Sequence, residues 1–191
     1  MTFRMIWVPA ALAALVLSGC SSTPASPQVK ALHQEVSQLN QQMRKLTSQA
    51  SALEIQGQLN SQSTQGAWLL PQANTPVELQ TQLGKLRLSL SHVEGEASGS
   101  RANLNIRSTD DKPVPALSAR VVWGEMDPAS GKPLNADSLS QTITVPASLM
   151  PRSSVSVPLR LSGLAPGQPG YVRVHDVQAV TDASGAVVAG Q

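Results

Sequence analysis

The sequence predicts a mainly β protein. It reads as an immunoglobulin- or fibronectin-like two-sheet β-sandwich, preceded by a long N-terminal coiled-coil-like helix and a signal peptide. Three observations predict this. From residue 66 onward, short runs alternate apolar and polar residues between clusters of turn formers, the pattern of half-buried strands. Through residues 29–53, apolar residues recur at steps of three and four, which makes a helical seam. Ahead of both, an apolar run closes on the only cysteine of the chain, Cys20.

Taken in order, Arg4 precedes an apolar run over residues 6–17, and the small residues Ser18 and Gly19 follow. These are the three parts of a secretory signal. As a helix the run rises roughly 18 Å against a hydrocarbon core of about 30 Å, too short for a comfortable permanent span. Leu17-Ser18-Gly19-Cys20 resembles the bacterial lipobox. That resemblance implies a cut before Cys20 and acylation of Cys20, as S-diacylglycerol cysteine and N-palmitoyl cysteine. One acyl chain binds a membrane only marginally, whereas two or more hold it stably. A structural thiol is a poorer reading, because Cys20 has no partner in the chain and an exported free thiol is open to oxidation. Ser21 stands where inner-membrane retention favours Asp. By analogy with enterobacterial sorting, the expected place is the outer membrane, facing the periplasm.

Residues 21–27 carry two prolines and no apolar pattern, so they read as an extended tether. The seam then runs Val29, Leu32, Val36, Leu39, Met43, Leu46, Ala50 and Leu53. This is about four heptads with every a and d position apolar. Self-association through Val29, Leu32, Val36, Leu39, Met43 and Leu46 is one use of this stripe. Valine at early a positions with leucine at d favours a parallel dimer. Packing of the helix along its own globular domain is the other. The e and g positions (His33, Glu35, Asn40, Gln42, Thr47, Gln49) carry little charge to select a partner. Gly57 and Asn60 fall on the next a and d positions, so residues 56–65 read as a frayed helix end and linker. The expected organisation is therefore a signal peptide over 1–19, a lipidated tether over 20–27, a heptad helix over 28–62 and a β-sandwich domain over 66–191.

Within the last of these, residues 67–70 form a short apolar strand ended by Pro71. Residues 75–84 read as a brief helical turn, with Pro76 at its first position and Val77, Leu79 and Leu83 on one side. Inward rows follow at Leu86, Leu88 and Leu90; at Leu104 and Ile106; and at Leu117, Ala119, Val121 and Trp123. Two more are Leu139, Ile143 and Val145, and then Val155, Val157, Leu159 and Leu161. Asp127-Pro128-Ala129-Ser130-Gly131 is a turn. Leu164-Ala165-Pro166-Gly167 ahead of Tyr171 resembles the corner before strand F of such sandwiches. A further turn at Asp182-Ala183-Ser184-Gly185 would send a last strand over residues 186–189 back along the chain.

Net charge is +2 over 191 residues, and from residue 66 onward the charges are balanced and interspersed. No basic run is visible, so nucleic acid and anionic headgroups are not expected partners. Aromatic residues are 3% of the chain, which argues against a stacking platform for sugars or bases. No cofactor or metal is expected. His175-Asp176 is the most tempting pair, because the alternation slips there as at a bulge. Metal sites need about three convergent ligands, though, and His33 and His92 stand at no metal-binding spacing from it. Glu94/Glu96 and Asp110/Asp111 read as solvated turn carboxylates. Glu125 and Asp127 flank a hairpin turn and are too few for a calcium loop. No nucleophile motif or phosphate loop is present, so the chain is not expected to be an enzyme.

Ser63-Thr64-Gln65-Gly66-Ala67-Trp68-Leu69-Leu70-Pro71, Leu86-Arg87-Leu88-Ser89-Leu90, Val155-Ser156-Val157-Pro158-Leu159 and Val172-Arg173-Val174-His175-Asp176 resemble the YajI-like lipoproteins of enterobacteria. The resemblance covers the mature chain almost to its end, and implies an exported lipoprotein with a domain of unknown function. It carries no catalytic residues over. The expected function is a non-enzymatic, lipid-anchored periplasmic adaptor or structural module, with a possible envelope protein partner. The alternative is a small-molecule or peptide binding module using the sandwich loops or a sheet edge.

Overall fold

A computed structural model describes residues 27–145 and 149–180. The signal, Cys20, most of the tether and the expected last turn and strand lie outside these residues. The described residues are mainly β, with one N-terminal helix and two antiparallel sheets. Helix α1 spans Pro27–Ser61, about 52 Å at 1.5 Å per residue. It contains no proline after its first residue, where the missing N–H costs no helical bond. The strands are β1 (Ala67–Leu69), β2 (Val77–Thr81), β3 (Gly84–Glu96), β4 (Gly99–Ser108), β5 (Leu117–Glu125), β6 (Leu139–Val145), β7 (Ser154–Ser162) and β8 (Gly170–Ala179).

One sheet has the order β1-β8-β5-β6 and the other β2-β3-β4-β7. Their inner faces enclose the core. Leu86, Leu88 and Leu90 of β3 pair with Ser108, Ile106 and Leu104 of β4, and face Leu117, Ala119, Val121 and Trp123 of β5 across the sandwich. The indole N–H of Trp123 donates to the carbonyl of Ser162 at 3.1 Å, which ties the two sheets together near one end. Leu139 keeps the phase of Ile143 and Val145 but is 45% exposed; it opens β6, an edge strand, and lines a cleft with Trp123 and Leu164.

The helical turn expected over residues 75–84 is not formed. Val77–Thr81 is instead strand β2, paired with β3 in the register Leu79↔Leu86. The i, i+2 spacing of Val77 and Leu79 won over the helical spacing, because a β3 edge was available to satisfy the backbone. His92 is not near a turn either. It lies within β3 at a bulge between Ser91 and Glu94, with φ at 51°. Glu94 and Glu96 accordingly belong to β3 rather than to the turn after it.

The expected frayed end of the helix is firmly docked. Ala52, Ile55 and Leu59 pack with Trp68, Leu70, Ala73, Val122, Met126 and Tyr171 in a second core on the outer face of the β1-β8-β5-β6 sheet. Here the helix solves a problem of β1, which is an edge strand. The side-chain oxygen of Asn60 accepts from the Trp68 amide at 2.9 Å, while its side-chain nitrogen donates to the Trp68 carbonyl at 2.7 Å. Gln56, 3% exposed, accepts from the Leu70 amide at 2.8 Å and donates to the Thr75 carbonyl at 3.1 Å. Two amides one helical turn apart thus occupy the place of a neighbouring strand.

Tyr171, at the start of β8, belongs to this second core, and its hydroxyl donates to the side-chain oxygen of Asn135 at 3.3 Å.

Candidate functional site

The feature of α1 left without a partner is its apolar stripe. Among the described residues, Leu32, Val36, Leu39, Met43 and Leu46 are between 52% and 66% exposed, and Val29 and Leu53 more than 40%. A side chain of that size gains about 1.5–3 kcal/mol when fully buried, so a row of seven held in water is a standing cost. In the part of the helix from Met43 onward, the stripe (Met43, Leu46, Ala50, Leu53) and the docked residues (Ala52, Ile55, Gln56, Leu59) fall on roughly opposite sides of a 3.6-residue helix. The domain is therefore served by a different face, and packing against it leaves the heptad positions free. Of the two uses the spacing left open, this arrangement excludes intramolecular burial for Met43, Leu46 and Leu53.

His175 and Asp176 are brought together. The imidazole Nδ1 lies 3.0 Å from the Asp176 carboxylate, and β8 slips against β5 between Ser118 and Arg120 with Asp176 at a φ of 51°. This is the bulge the alternation implied. The pair stands alone: among the described residues no three His, Cys, Asp or Glu side chains converge on a metal position. His33 caps nothing but its own helix, bonding the Val29 carbonyl at 2.8 Å, and His92 bonds the neighbouring Ser91 hydroxyl at 3.2 Å.

The remaining candidate carboxylates have structural partners. Arg101 donates to Glu94 and holds its carboxyl below the usual range. Asp110 accepts from the Lys85 amide at 2.8 Å, and Asp111 pairs with Arg152 at 2.9 Å. Asp127 accepts from the Ser130 hydroxyl at 2.6 Å and the Ala129 amide at 2.9 Å, which lowers its pKa and closes the expected turn. Glu125 accepts from Gln168 at 3.3 Å. Burial raises the Tyr171 phenol above its ordinary value; its ring lies 5.2 Å from that of Trp68, over which Arg173 stacks at 5.0 Å.

One cleft of about 460 Å³ opens at the end of the sandwich, lined by Trp123, Leu134, Leu139 and Leu164 with Asp137 and Ser138 at its rim. A smaller cavity of about 170 Å³ lies between Ala52 and Ile55 of α1 and Leu70 and Met126 below. Among the described residues no helix is long and apolar enough to cross a membrane.

Residues 24–186 match the family described as protein of unknown function (DUF3251). The chain belongs to that family. It is 35% identical over 164 residues to the uncharacterized lipoprotein YajI of Escherichia coli strain K12, covering 86% of this chain and 92% of YajI. The solution NMR structure of the Escherichia coli YajI superposes with a TM-score of 0.64, over 71% of this chain and 80% of that one. The trimeric lipoprotein SadB of Salmonella enterica shares the fold at a TM-score of 0.52 and 20% identity, over 79% of this chain and 82% of SadB. The family member and the fold relative named here are both lipoproteins, and the expectation of a YajI-like lipoprotein with a mainly β body holds.

Proposed function

We propose that this protein is a non-enzymatic, lipid-anchored module of the outer membrane facing the periplasm, acylated on Cys20 and assembled into a parallel homo-oligomer through the α1 stripe. The observation that carries this is the stripe itself. It is an a/d row of exposed apolar side chains, over roughly 36 Å of helix from Val29 to Leu53. Parallel alignment suits it, because equivalent a and d layers then meet their own kind. The valines at a and leucines at d favour two strands, whereas SadB, a relative by fold, is described as trimeric. The lipobox residues and the lipoprotein relatives support the anchor.

The anchor is tested by labelling cells with radioactive palmitate. Label is expected in the native chain and absent after Cys20→Ser, with outer-membrane fractions losing the variant. Assembly is tested by sedimentation of the delipidated mature chain. Dimer or trimer is expected, falling to monomer in the Leu32→Gln/Leu39→Gln/Leu46→Gln variant with little change in Tm, since none of the three is buried. Monomer at every concentration in the native chain would end the oligomer reading. The end cleft beside Trp123 favours a second reading, a binding module, because its volume falls in the usual range for small-molecule sites. A monomer that co-purifies with a small ligand would support that instead.

A further inference from the structure

The outer face of the β2-β3-β4-β7 sheet gathers charges that the linear sequence scatters. Register sets Glu78, Arg87, Arg107 and Ser154 in one row across the four strands. Ser89, Asn105 and Ser156 form the next row, then Ser91, Asn103 and Pro158. Beyond these lie Glu94, Arg101 and Arg160. Two arginine pairs therefore stand directly opposite each other on neighbouring strands, with a ladder of serine and asparagine between them. Like charges so placed destabilise a sheet. Glu94 answers Arg101. Among the described residues, however, Arg87, Arg107 and Arg160 are exposed and make no ion pair.

We propose that this face binds an anionic polymer of the envelope, namely peptidoglycan, whose peptide stems carry free carboxylates beside a hydroxyl-rich glycan. The choice of that polymer rests on the periplasmic placement proposed above; the chemistry rests on the face. Guanidinium groups bind carboxylates with two parallel hydrogen bonds, and the intervening hydroxyls and amides match a hydroxyl-rich chain. Arg107 lies six steps along β4 from Arg101, roughly 20 Å of strand, which suits an extended polymer better than a single small anion. A bilayer surface fits less well, because these rows hold no aromatic residue and only Pro158 as an apolar one, and so nothing to insert. A protein partner would want a buried aromatic or aliphatic anchor, which the rows also lack.

The test is co-sedimentation of the full mature chain carrying Cys20→Ser with purified peptidoglycan sacculi, alongside phosphatidylglycerol vesicles. Absence of the acyl group makes the result independent of whether Cys20 is lipidated. Binding to sacculi that weakens with salt is expected, with affinity falling at least about tenfold in Arg107→Gln/Arg160→Gln. Arg120→Gln/Lys132→Gln removes the same charge elsewhere and should leave binding unchanged. Among the described residues neither Arg107 nor Arg160 has a side-chain ion pair or hydrogen bond to lose, so the first variant should melt no lower than the native chain. No binding to sacculi, equal binding by the Arg107/Arg160 variant, equal loss in the control, or binding to vesicles alone would overturn the proposal.

Discussion

At the scale of the residue, Asn60 shows how one side chain decides the fate of a strand. The heptad register places it on a d position, where it reads as the end of a seam. In the fold it closes both backbone groups of Trp68, and its side-chain nitrogen also reaches the Gln56 carbonyl at 2.8 Å. Alanine there leaves a part-buried donor and acceptor unpaired, which costs about 1–2 kcal/mol. At about 2–4 °C per kcal/mol for a chain of this size, Asn60→Ala should lower Tm by several degrees in a calorimetric scan. An unchanged Tm would mean that water replaces the amide without loss. Gly66, just before β1, is subject to a tighter constraint. It has φ at 110°, and a Cβ there would lie 2.6 Å from the Val174 carbonyl oxygen, so the chain can enter β1 only through glycine.

At the scale of the element, α1 does two things with two faces. Its docked face is short and mixed: Ala52, Ile55 and Leu59 supply apolar contact, while Gln56 and Asn60 supply hydrogen bonds. Its stripe is long and purely apolar, yet exposed. A reader of the sequence sees only the stripe, since amphipathic spacing signals apolar faces and passes over glutamine and asparagine. Strand β2 is the complementary lesson. Residues 75–84 carry a helix-like start and apolar residues at both spacings, and local preference could not choose between them. Pairing with β3 chose.

At the scale of the whole molecule, the described chain divides into a first unit ending at Gln41 and a second running from Gln42 through the sandwich. The residues of α1 from Gln42 onward share their contacts with the sandwich. The C-terminal portion of the helix is part of the body. A chain beginning at Gln42 keeps the whole second core and the capped edge of β1, and should melt cooperatively within a few degrees of the full chain. A chain beginning at residue 66 bares Leu70, Met126 and Tyr171 and frees the edge of β1, at a cost of a few kcal/mol. It should melt well below the other or aggregate. Equal melting of the two truncations would show that docking contributes nothing to stability.

The sequence by itself determined the class of the body, the inward rows of β3, β4, β5 and β7, the bulge at Asp176, the helix and its stripe. Each of these is written in local periodicity, which solvent exposure imposes on neighbouring residues along one element. It also carried the likeness to the lipoprotein family. Only the tertiary structure decided which face of α1 the body uses, that β2 is a strand, that Tyr171 lies under the helix, and that Arg87 and Arg107 stand side by side. These depend on pairing between residues far apart in the chain. Hydrogen bonds from the side chains of Gln56 and Asn60 to an edge strand, and like charges aligned by register, leave no period in the sequence from which they could be read.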